Sequence, residues 1–82
     1  MALILAVDDS VTMRQMVTFT LTNAGHRVLE AESGDEGLKL AKSNKFDLII
    51  TDVNMPGMNG LDLVRALRAL PECKFTPVLV LT

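Results

Sequence analysis

Aromatic side chains are scarce: three Phe, no Trp and no Tyr make up 4% of the 82 residues. Any interior must therefore be aliphatic, filled by Leu, Ile, Val, Ala and Met. A single cysteine, Cys73, excludes an internal disulfide and reads as a passive small residue. No cluster of Lys or Arg stands out, and ten acidic against eight basic groups leave a net charge of −2. The electrostatic footprint of a nucleic-acid binder is missing, so no nucleic acid is expected as a partner. Neither the basic start of a secretory signal nor an apolar run of transmembrane length is found, which points to a cytoplasmic chain without membrane contact. Repeats, low-complexity stretches and linkers are absent too, and residues 1–82 are read as one domain with one core.

What is present is an alternation. "LILAV" (Leu3 to Val7) is a continuous apolar run of the kind made by a parallel strand covered on both faces. Ser10 follows in the position of a helix cap, and Met13, Met16, Val17, Leu21 and Ala24 recur at helical spacing until Gly25 stops them. Arg27 to Ala31 predicts a second strand. Ser33 with Glu36 matches a capping box opening a second helix through Leu38 and Ala41. Asp47 to Thr51 predicts a third strand, and Leu61, Leu63, Val64, Leu67 and Leu70 a third helix closed by Pro71. Pro77 to Thr82 completes the pattern as a fourth strand.

Such a βαβαβαβ order calls for a parallel sheet with right-handed crossovers, doubly wound in the order 2-1-3-4. Ligands bind such sheets beyond the carboxyl ends of the strands, where Asp8, Asp9, Asp52 and Thr82 all fall. If the first and third strands are neighbours, their ends lie only ~5 Å apart, and the three aspartates converge. Carboxylates drawn that close repel unless a cation supplies positive charge. Mg²⁺ suits the set best, because it takes one or two carboxylates and keeps several waters, whereas Ca²⁺ wants more protein oxygens. A carboxylate beside such an ion can act as a nucleophile toward a phosphoryl group. The bland alternatives are that Asp52 caps a turn and that Asp8 and Asp9 favour the positive end of a helix.

Taken together, "ILAVDDS", "DLIITDVNMPGMNGLDL" and "TPVLVLT" resemble the receiver domain of bacterial two-component response regulators, in particular the single-domain chemotaxis type. The resemblance implies a flavodoxin-like fold and a phosphoacceptor module rather than an enzyme. It assigns Asp52 as the phosphoacceptor, Asp9 as a direct Mg²⁺ ligand, Asp8 as a ligand through water and Asn54 as a backbone-carbonyl ligand. Thr82 becomes the hydroxyl that hydrogen-bonds the phosphoryl group, and Pro56, Gly57 and Gly60 shape the following loop. The implied partner is a sensor histidine kinase.

The family pattern normally continues past the position of Thr82 with a helix, a fifth strand and a last helix, so the expectation is an incomplete, truncated version of that fold. The lysine that follows the fifth strand has no counterpart among Lys39, Lys42, Lys45 and Lys74, and phosphoryl transfer is expected to be impaired. The fourth strand should present a bare edge, and the 82 residues should associate as a homodimer or higher oligomer through it. A different class of function, a structural or self-assembling unit without signalling, follows from the same incompleteness. A phosphatase of the haloacid dehalogenase type is the least favoured, since Asn54 stands where its acid would be. His26 is expected in a surface loop. Met55 and Met58 are expected to pack near the pocket, and Asp62, Arg65 and Arg68 to form a solvated helix face.

Overall fold

The computed structural model describes residues 1–81; Thr82, the expected hydroxyl residue, lies outside the described residues. Four parallel strands, β1 (Leu3–Val7), β2 (Arg27–Ala31), β3 (Leu48–Asp52) and β4 (Val78–Leu81), form one sheet in the order β2-β1-β3-β4. Three helices connect them: α1 (Val11–Asn23), α2 (Gly34–Ser43) and α3 (Gly60–Arg68), with a short 3₁₀ turn at Pro71–Cys73. This is the doubly wound order that the alternation of elements requires.

Alternation along the strands sends Leu5, Val7 and Ile49 to one face, where they pack with Ala31, Ala41, Phe46, Met55, Leu63, Leu67 and Cys73 beneath α2 and α3. Leu5, Ile49, Leu63 and Leu67 are completely buried. Each contributes about 1.5–3 kcal/mol of transfer free energy, so this face carries the fold. Burial pushes the Cys73 thiol up from its ordinary value, with Glu72 adding to the effect, and leaves it protonated and inert.

The opposite face is covered over β1 and β3 and bare at β4, where Leu79 is 50% exposed. It holds Ile4, Ala6, Ile50 and Leu79, and α1 alone lies across it, over β1 and β2. Met13 and Met16, whose helical spacing is that of core residues, are 48% and 59% exposed, and no residue of α1 is fully buried. Helical spacing marks which side of a helix is apolar, but nothing among the described residues covers the outer flank of this one. Leu61 is exposed as well, at the start of α3 on the side away from the sheet.

Local signals are met with small shifts. Ser10 caps α1 by accepting the Met13 N–H. Ser33 caps α2 from the Glu36 N–H, but the Glu36 carboxylate reaches back to the N–H of Glu32 and leaves the expected box half-made. The full reciprocal box belongs to α3, between Asn59 and Asp62. β3 starts and ends one residue later than its apolar pattern, because Asp47 caps the sheet by accepting the Leu3 N–H while β4 keeps Asp52 in the ladder opposite Leu81. His26 is half-buried and accepts the Ala2 N–H through Nδ1 at 3.1 Å, so it ties down the first strand instead of lying free in a loop. Asp62, Arg65 and Arg68 lie on an exposed face as expected, and Arg68 Nη1 also donates to the carbonyls of Cys73 and Thr76, which pins the approach to β4.

Candidate functional site

The ladder between β1 and β3 pairs Val7 with Thr51. The next residues, Asp8 and Asp52, therefore emerge side by side at the carboxyl ends of the two central strands. Asp9 joins them from the turn into α1. One carboxylate oxygen from each of Asp8, Asp9 and Asp52 lies within 4.8 Å of the other two. Asp9 is exposed, while Asp8 and Asp52 are half-buried.

Each acid is held in its own way. Asp8 anchors its backbone to β2 by donating its N–H to the Ala31 carbonyl, and its Oδ1 accepts the Ser10 N–H at 2.8 Å. Asp52 remains in the ladder, and its Oδ1 accepts the N–H of Asn54 at 3.4 Å. The loop after it then turns sharply. Gly57 takes φ +73, and the backbone of Gly60 passes so near the Asp52 carbonyl that a β-carbon there would collide with it. The loop packs downward through Met55, which is buried in the core, and through half-buried Met58. Both methionines serve packing, and Asn54 stands exposed at the rim.

The donor set is oxygen only. His26 sits at the opposite end of β1, and Cys73 lies in the core beneath α2 and α3, so no soft ligand reaches the cluster. Hard divalent cations fit such a set, and the small number of protein oxygens fits Mg²⁺ better than Ca²⁺. Asp8, Asp9, Asp52 and the backbone at Asn54 are the residues that would hold it.

Arg14 and its partner Glu30 escaped the sequence reading. Arg14 lies against the cluster and helps line a small cavity with Asp8, Asp52, Val17, Ile50 and Leu81. Its Nη1 donates to the Asp8 carbonyl at 2.6 Å and its Nε to Glu30 Oε1 at 2.9 Å. A lone arginine on a helix carries no signal of this kind, because both its partners arrive through the fold.

The class that this architecture defines is a doubly wound parallel α/β domain with a cluster of carboxylates at the ends of its two central strands, where ligands bind such sheets. The particular family follows from comparison: residues 4–82 match the response regulator receiver domain, and the chain belongs to that family. PilH of Pseudomonas aeruginosa is 43% identical over 82 residues, covering all of this chain and 68% of the relative. The chemotaxis protein CheY of the same organism is 45% identical over 80 residues, covering 96% of this chain and 64% of the relative. The chain thus spans about two thirds of the length of these relatives. Among solved structures, the chemotaxis response regulator CheY4 of Vibrio cholerae superimposes with a TM-score of 0.95 at 51% identity, over 98% of this chain and 67% of its own. The receiver domain of the Pseudomonas aeruginosa sensor histidine kinase PA1611, determined with magnesium coordinated in the active-site cleft, superimposes with a TM-score of 0.95 at 26% identity, over 99% of this chain and 66% of its own. No helix among the described residues is long and apolar enough to cross a membrane.

Proposed function

We propose that this chain is the phosphoacceptor module of a chemotaxis-type two-component pathway, in which Asp52 takes a phosphoryl group from a phosphohistidine of a sensor kinase. The observation that carries the reading is the convergence of Asp8, Asp9 and Asp52 at the ends of adjacent strands. In the transfer, a carboxylate oxygen of Asp52 forms a bond to phosphorus as the bond from phosphorus to the donor imidazole nitrogen breaks, and the electron pair leaves with the imidazole. A magnesium ion bound at the cluster would neutralise charge on the transferred group. The protein's own part is orientation. The ladder aims Asp52, the Ser10 N–H fixes Asp8, and the Gly57 to Gly60 turn leaves the carboxylate open to a partner. A cytoplasmic setting fits this chemistry.

Treatment with acetyl phosphate and Mg²⁺ should add one phosphoryl group by intact mass, and Asp52→Asn should abolish the adduct. Absence of the adduct on the unaltered chain would remove the signalling reading.

A second reading, association of the 82-residue chain with copies of itself, is favoured by the uncovered apolar flank. Met13 and Met16 line an apolar groove with Ile50, and Leu79, on the strand next to Ile50, is 50% exposed. Light scattering at micromolar concentration should report a dimer or larger species, and a compact monomer would exclude this mode.

A further inference from the structure

Arg14 is the most covered charged side chain outside the acidic cluster that the phosphoacceptor reading leaves without a task. Its side chain is only 12% exposed, on a helix that turns half-buried Val17, Thr18 and Leu21 toward the sheet and leaves most of its other residues exposed. Surface arginines ordinarily extend their head groups into water, and desolvating a guanidinium is unfavourable unless it is paired and hydrogen-bonded. Here it joins three elements: it rises from α1, donates to the Asp8 carbonyl at the end of β1, and donates to Glu30 near the end of β2.

The Asp8 carbonyl belongs to the peptide that links Asp8 to Asp9. The ladder to β3 has already ended at Val7, so strand pairing with β3 does not hold that oxygen. Its plane sets the direction in which the backbone enters Asp9, and hence where the Asp9 carboxylate can reach. We propose that Arg14, oriented by Glu30, is a positioning residue that locks the Asp8–Asp9 peptide so that both carboxylates face a cation shared with Asp52. The proposal rests on the magnesium-binding reading of the cluster and deepens it.

The two ways Arg14 could influence a cation have opposite signs. As a bare positive charge it would weaken uptake, and removing it would tighten binding. As a positioning group it strengthens uptake, and removing it loosens binding. Glu30 neutralises much of the charge, so positioning should prevail.

Calorimetric Mg²⁺ titration of the full chain decides between them, with circular dichroism confirming that each variant is folded. Arg14→Ala and Glu30→Ala should each weaken Mg²⁺ binding about tenfold, the usual scale for groups that orient ligands. Arg14→Lys, which keeps the charge but cannot make both bonds from a planar fork, should recover only part of the loss. The double variant should be no weaker than Arg14→Ala alone, because the two groups act in series. Equal or tighter binding by folded Arg14→Ala overturns the proposal while leaving the magnesium site standing. If Arg14→Ala does not fold, Glu30→Ala and Arg14→Lys apply the same criterion, and unchanged affinity in both overturns it. No uptake by the unaltered chain overturns this proposal together with the magnesium reading.

Discussion

Gly60→Ala is expected to destabilise the chain by about 3 kcal/mol, a large share of the roughly 5–15 kcal/mol that holds a small domain together. The glycine sits at the first turn of α3, where its N–H donates to the Val53 carbonyl and its α-carbon lies against the Asp52 carbonyl. Any β-carbon meets backbone there, not a flexible side chain, so relief requires moving either β3 or α3. Alanine is otherwise the better helix former by about 1 kcal/mol, and a substitution judged on propensity alone would be stabilising. The steric conflict decides the sign. Urea unfolding should show a lower midpoint with an unchanged slope, and an unaltered or raised midpoint would show that the strand-to-helix turn can yield.

Magnesium should stabilise the same chain strongly. At a hundredfold excess over its dissociation constant, a ligand that binds only the folded state adds about 2.7 kcal/mol. Asp8, Asp9 and Asp52 come together only when the sheet is formed, so the unfolded chain offers no comparable site. Asp9→Asn should remove most of this response, and it should leave the metal-free protein at least as stable, because one of three mutually repelling charges is gone. Thermal melts with and without Mg²⁺, repeated with Asp9→Asn, give the two numbers. A melt insensitive to Mg²⁺, or a variant that responds as fully as the parent, would show that the oxygens do not cooperate.

Much of this was legible in the residues themselves. Strand and helix alternation sufficed for the parallel sheet and its order, and the aspartates at strand ends foretold the acidic cluster. What escaped depends on tertiary partners. The periodicity of Met13 and Met16 names an apolar side of α1, but cannot say whether anything lies against it, and in the structure little does. Arg14 carries no signal in the sequence and Arg68 reads as a solvated charge, yet each binds backbone carbonyls that belong to other segments. Leu61 is apolar at a helical position and still faces outward, because Leu63 and Leu67 already occupy the side of α3 turned to the sheet. The one-residue displacement of β3 is of the same kind: Asp47 caps Leu3, and Leu81 reaches far enough to hold Asp52.

The central pair of strands joins segments far apart in the chain, as the hydrogen bond between Leu3 and Asp47, 44 positions apart, illustrates. Closing so long a loop is entropically unfavourable and belongs to the slow, non-local part of folding. If the proposed magnesium site holds, ion uptake would report the pairing of those two strands: a nascent or proteolysed chain with only the first aspartates, or only the later one, would carry the donors apart and bind weakly.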